Sequence, residues 1–135
     1  MNTDKLTSLL ELHAEDVKDP YVIFELAKEY DHLKQGAAAV GLYIKSADLT
    51  DDKDLQYKCM VLAGNCYRRQ GNRSFTTFGM YQDAVIVQPD RPEAHHCLAS
   101  YHESRAEWKQ CLMHARLGLY LSHDFDDFEE DEFDL

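Results

Sequence analysis

The chain is 135 residues long, the size of one compact domain or one short repeat array. It is 44% hydrophobic with only six Gly and three Pro, a balance that fills a core and argues against a turn-rich β architecture. Net charge is −11, but residues 124–134 hold eight acids and no base, leaving −3 on the rest; with no basic stripe to replace phosphate counterions, nucleic-acid binding is not expected.

In chain order the elements read as helices. Thr3 caps a first one, with Leu6, Leu9, Leu10 and His13 on one face, ending before Lys18. Asp19 as N-cap and Pro20 in the first turn open a second, whose inward stripe is Ile23, Leu26, Ala27 and Tyr30. After Gln35-Gly36, Ala37 to Leu49 forms a return helix with Ala39, Leu42, Tyr43 and Ser46 inward, and residues 50–54 break the pattern. Tyr57, Met60, Val61, Gly64 and Tyr67 carry the next helix as far as Arg68-Arg69-Gln70-Gly71-Asn72. Phe75 to Val87 returns with Phe78, Tyr81, Ala84 and Val85 inward. The sharpest break is Pro89-Asp90-Arg91-Pro92. A third pair spans Pro92 to about Ser104 and Glu107 to Leu121, with Leu98, Ala99, Trp108, Cys111, Ala115 and Gly118 inward. The chain thus divides into a helix and linker (1–19), an array (20–51, 54–89, 92–121) and an acidic tail (122–135).

The array repeats by offset. Ala27, Gly64 and Ala99 lie 37 and 35 apart on first helices. On second helices, Ala39, Thr77 and Cys111 lie 38 and 34 apart, and so do Ser46, Ala84 and Gly118, and Tyr43, Tyr81 and Ala115. Paired helices approach closely only where side chains are small, so such residues recur at each contact. A unit this short cannot hide its apolar face alone and must stack.

These residues resemble the tetratricopeptide repeat. The first copy carries the resemblance with Leu26, Ala27, Tyr30, Ala39, Tyr43 and Ser46. In the second it rests on Gly64, Tyr67, Gln70-Gly71, Tyr81, Ala84 and Pro89, and in the third on Leu98, Ala99, Trp108, Cys111 and Gly118. Asp51 and His123 stand where the family has Pro, and Ala115 where it has an aromatic. The resemblance implies an all-α fold: three tandem hairpins in a right-handed superhelical stack, with the N-terminal helix over one open end. It also implies a concave groove, lined by first helices, that takes a protein or peptide segment. The family's groove positions fall on Tyr21, Phe24, Glu25, Lys28, Asp31 and His32, then Lys58, Val61, Leu62, Asn65, Arg68 and Arg69, then Glu93, His96, Cys97, Ser100, Glu103 and Ser104. The expected partner contacts are Tyr21, Phe24, Lys28, Asn65, Arg68, Arg69, His96 and Ser100. The carboxylate clamp of the chaperone-binding subclass is not expected, because Tyr21, Glu25, Leu62, Glu93 and Cys97 occupy the places where it needs Lys and Asn. Arg68 and Arg69 also read as solvated residues complementing a helix C-terminus.

A second likeness is to repeat segments that accompany glycosyltransferases in some bacterial and phage proteins. It rests on Pro89 to Ala94 followed by Trp108, and implies the accessory part of such an enzyme. A virion-type assembly component, forming homo-oligomers, is a further reading. Catalysis is not expected: there is no Gly-x-Ser-x-Gly, no His-Glu-x-x-His and no Gly-rich phosphate loop. Asp124-Phe125-Asp126 spells a metal-nucleotide motif but sits in an acidic tail rather than after a strand. His95-His96-Cys97 and Cys111-x-x-His114 bring possible ligands to the third unit without a closed set, so no metal or cofactor is expected. The four cysteines lie in helical runs, no secretion signal opens the chain, and no apolar run spans a membrane. The reading is a cytoplasmic protein with reduced thiols. In the tail, Phe125, Phe128, Phe133 and Leu135 interrupt the acids. An acidic-aromatic segment of this kind can dock onto a basic, apolar groove, either a partner's or its own near Arg68 and Arg69, or merely patch the last helix.

Overall fold

A computed structural model describes residues 4–71 and 73–122. The expected cap at Thr3, the tail's Phe125, Phe128, Phe133 and Leu135, and its Asp124-Phe125-Asp126 lie outside the described residues. Within them the fold is all-α: seven helices and no strand. They are α1 (Asp4–Glu15), α2 (Pro20–His32), α3 (Gly36–Leu49), α4 (Lys53–Gln70), α5 (Ser74–Val87), α6 (Pro92–Ser104) and α7 (Trp108–Leu121).

Local chemistry sets these boundaries. Asp19 Oδ1 accepts from the Tyr21 and Val22 backbone N–H groups at 3.0 and 3.4 Å, and Pro20 follows in the first turn. Asp52 starts α4 in the same way, accepting from Asp54 and Leu55, and its second oxygen accepts the Tyr21 hydroxyl at 2.7 Å. One carboxylate therefore both begins α4 and ties it to α2. The turns after α2, α4 and α6 each hold one residue with positive φ: Lys34, Gly71 and Ala106. These three are spaced 37 and 35 apart, the intervals already seen for Ala27, Gly64 and Ala99. The first and third turns also share one hydrogen-bond pattern. Gln35 N–H donates to Tyr30 O and Lys34 N–H to Asp31 O; Glu107 N–H donates to His102 O and Ala106 N–H to Glu103 O. Both are Schellman closures, made here without glycine.

Helices pack in pairs, α2 on α3, α4 on α5 and α6 on α7, and the pairs join through α3 on α4 and α5 on α6. First helices also touch along one side, α2 to α4 and α4 to α6, while α1 packs on α2. The small residues lie at these contacts: Ala27, Ala39, Ser46, Ala84 and Thr77 are buried, and a Cβ on Gly64 would stand 2.6 Å from the Tyr81 ring. Two cores result. Phe24, Tyr43, Leu55, Cys59 and Leu62 fill the first, between α2, α3 and α4. Tyr57, Val61, Tyr81, Cys97 and Leu98 fill the second, between α4, α5 and α6.

The seam between the second and third pairs holds a buried charge. Arg91 is 1% exposed, and its Nε and Nη2 donate to the two Glu93 carboxylate oxygens at 3.2 and 3.3 Å. Its guanidinium carbon lies 4.9 Å from the Tyr57 ring centroid, and Asp54 approaches at 3.5 Å. Tyr57 OH accepts the Ala94 N–H at 2.8 Å, so the Pro-rich break is fastened to α4.

Two inward assignments are corrected. Trp108 is 64% exposed, and in α7 only Gly118 is buried. The spacing is that of an inner helix, but among the described residues no further helix packs on α7. In α1 only Leu9 is buried, and Leu10 is exposed.

Candidate functional site

A cleft of about 580 Å³ opens between α2 and α4. It is lined by Lys28, Asp31, His32, Leu62, Asn65, Cys66 and Arg69, together with Lys34 and Gly36 from the first turn, Tyr43 from α3 and Gln70. Lys28 and Asp31 are one turn apart on α2, and Asn65 and Arg69 are one turn apart on α4, so each helix presents two polar groups to the same space.

Its electrostatics are arranged in pairs. Arg69 Nη2 donates to Asp31 Oδ1 at 2.8 Å, and Tyr43 OH to Asp31 Oδ2 at 3.4 Å. Burial works against the Arg69 charge, but Asp31 outweighs it and holds the guanidinium protonated. Burial pushes the Tyr43 phenol up, with Asp31 adding to it, and takes the Cys66 thiol up to about 12. Lys28 pairs with Glu25 at 3.3 Å and stands 5.1 Å from the Phe24 ring centroid. Lys28, Lys34 and Arg69 against Asp31 leave the lining basic, in a chain that is acidic overall.

Asn65 differs from its neighbours. It is 1% exposed, and its Oδ1 accepts the Tyr81 hydroxyl at 2.6 Å with the Cys97 thiol at 3.7 Å. Those donors fix the amide orientation. Its Nδ2 is buried and has no hydrogen-bond partner. Burying such a donor unpaired costs about 1–3 kcal/mol.

The expected contact residues divide among several places. Lys28, Asn65 and Arg69 share the cleft. Tyr21 and Phe24 line a second depression of about 320 Å³ with Asp52 and Lys58, Phe24 being mostly core and Tyr21 tied to Asp52. Arg68 lines a third, of about 190 Å³, and its Nη1 reaches Ser100 Oγ at 3.5 Å. His96 faces the far side of α6, where a Cβ on Gly118 would stand 2.7 Å from its ring. Tyr43, Lys34 and Gln70 join the cleft beyond the expected residues; the packing position of Tyr43 also carries its hydroxyl to Asp31, a contact across helices.

Among the described residues no group of three or more His, Cys, Asp or Glu is placed to hold an ion, and the histidines of the third unit stack on one another. His95 Nε2 lies 3.2 Å from the Pro89 carbonyl, which only accepts, so that nitrogen carries the proton. His95 Nδ1 then accepts from His114 Nδ1 at 3.0 Å. His114 also lies parallel to His102, which donates to Glu107 at 3.0 Å. No helix of the described residues is long and apolar enough to cross a membrane. No protein-family model matches the chain, and no curated protein matches it.

Proposed function

We propose that the chain is a non-enzymatic binding scaffold of tetratricopeptide-repeat type, and that the cleft between α2 and α4 takes an extended segment of a protein partner. The observation that carries this is Asn65. A buried amide whose oxygen is already engaged and whose nitrogen has no partner stands just behind the wall of an open cleft, where a small shift of that wall would offer the nitrogen to a backbone carbonyl of the incoming segment. Lys28, Lys34 and Arg69 around it favour an acidic segment, and Tyr43 and Leu62 offer apolar surface for its side chains.

The test is a random peptide library panned on the purified chain, followed by calorimetry on the enriched sequences. Acidic sequences should be enriched. Asn65→Leu should weaken them about tenfold or more, the effect of one lost hydrogen bond to a buried donor. Arg69→Gln, on the open side of the cleft, should weaken them less and reduce the salt dependence. Ile86→Ser, on exposed surface of α5, should change nothing. Peptides that bind equally well to Asn65→Leu and Arg69→Gln would place the binding surface elsewhere.

A further inference from the structure

The helices that return in each pair share a register, and it exposes an inconsistency at the end of the array. Leu112, Ala115 and Leu119 of α7 correspond, at the offset of 34, to Phe78, Tyr81 and Val85 of α5, and at a further 38 to Val40, Tyr43 and Ala47 of α3. In α3 and α5 that stripe is covered by the helix that follows in the chain. Val40, Tyr43 and Ala47 pack in the core with α4, and Tyr81, Phe78 and Val85 in the core with α6. Phe78, for instance, stacks on Tyr101 of α6 at 5.2 Å. In α7 the same stripe is open: Leu112 and Leu119 are 51% and 67% exposed, and Trp108 joins them one turn before Leu112. At the opposite end of the stack α1 covers α2, so the two ends are not alike.

We infer that this face of α7 is a docking site for the chain's own residues 123–135. Four arguments select that occupant. The first is order: α4 covers α3 and α6 covers α5, each being the next segment in the chain, and residues 123–135 are next after α7. Composition is the second, since Phe125, Phe128, Phe133 and Leu135 supply the large apolar groups that such a stripe takes up. Charge is the third. Lys109 and Arg116 flank the stripe, both exposed, and would meet the eight acids of the segment. The same two cations on a second copy would repel, which disfavours packing of α7 against α7. Reach is the fourth. The stripe from Leu119 back to Trp108 is eleven residues of helix, about 16 Å, and thirteen residues extend to about 43 Å. The cleft near Arg68 and Arg69 is the poorer host, because Asp31 and Ser100 already engage those guanidiniums. This inference does not depend on what occupies the cleft.

Trp108 is the only tryptophan in the chain and reports on the stripe directly. The full chain is compared with one ending at Ser122, by indole emission and acrylamide quenching, with helicity and mass measured alongside. In the full chain the indole should emit further to the blue and be about threefold less quenchable, as for a ring moved from water to apolar contact. The full-length double variant Phe125→Ser/Phe128→Ser should behave like the shortened chain while keeping its charge. Lys109→Glu/Arg116→Glu should loosen the contact, and raised salt should loosen it in the unmodified protein. Equal quenching in the full and shortened chains would overturn the inference. So would protection that appears only as the mass doubles with concentration, which would assign the face to a second copy.

Discussion

Helix α4 leads the second pair and α7 closes the third, and the two end in different circumstances. Nine residues of α4 are buried, among them Tyr57, Val61, Gly64 and Asn65, because α2, α3, α5 and α6 all reach it. In α7 only Gly118 is buried, and among the described residues α6 alone packs on it. Each carries small and aromatic residues at its own repeat offsets, α4 in register with α2 and α6, and α7 in register with α3 and α5. Periodicity therefore states which face is available for burial, and the neighbours decide whether burial occurs. If that is correct, the same change of residue type should cost more in α4 than in α7.

The largest difference should come from the glycines. Gly→Ala inside a helix gains about 1 kcal/mol of propensity in the absence of contacts. On Gly64 the new methyl would stand 2.6 Å from Tyr81 Cε1, on a ring that is fully buried and tied to Asn65. Overpacking of about 1–3 kcal/mol should offset the gain and, on so rigid a ring, exceed it, for a net loss of up to about 2 kcal/mol. On Gly118 the obstacle is the half-buried His96 ring at 2.7 Å, which can turn toward solvent. There the two terms should nearly cancel, within about 0.5 kcal/mol. Urea midpoints for Gly64→Ala and Gly118→Ala measure both; equal losses would break the comparison.

A second difference is one of pH. Burial, and then the neighbouring His95 and His102, hold the His114 imidazole down at about 4, below its ordinary 6.5. Because the folded value is the lower one, the unfolded chain takes the proton first. The stability that His114 contributes is therefore complete above about pH 6.5, declines as pH falls toward 4, and falls no further below that. Its ring is half-buried, so after discounting for solvent screening the loss should be on the order of 1–2 kcal/mol. The gap in unfolding free energy between the unmodified chain and His114→Gln should narrow by that amount between pH 7.5 and pH 4.5. A gap that holds constant would mean that the stacked histidines do not couple to folding.

What was legible in the sequence was whatever is set locally or by steric contact. Asp19-Pro20 announces a helix start by itself, and Ala27, Gly64 and Ala99 mark places where only small groups fit. The all-α architecture and most helix ends followed from these. Arg91 was not legible, because a guanidinium is buried only where Glu93, Asp54 and Tyr57 converge from separate elements. Trp108 was misassigned for the reason given by α7: an inward position needs a neighbour. In the cleft, Lys28, Asn65 and Arg69 could be placed through the resemblance to the tetratricopeptide repeat and its groove positions. The unsatisfied Asn65 amide could not, since it depends on Tyr81 and Cys97 from two other helices occupying its oxygen.

The smallest effect leaves stability untouched and compares thiols. Cys59 and Cys66 of α4, and Cys97 of α6, are buried, and burial is the chief reason their thiols rise to about 12. Cys111 of α7 is only half-buried. At pH 8 a thiol with a pKa near 12 is ionised about once in ten thousand molecules, and the thiolate is the species that reacts. Both low ionisation and poor access slow the three inner thiols, and only the shared pattern of the repeat places Cys111 beside Ala39 and Thr77, both buried in their own helices. Iodoacetamide should therefore label Cys111 at least about a hundredfold faster than the others in the folded chain, and all four alike in urea. Peptide mapping over a time course reads this directly. If Cys111 proves as slow as Cys59, α7 has acquired a cover on its α6-facing flank, and the contrast with α4 fails at the thiol that α7 carries.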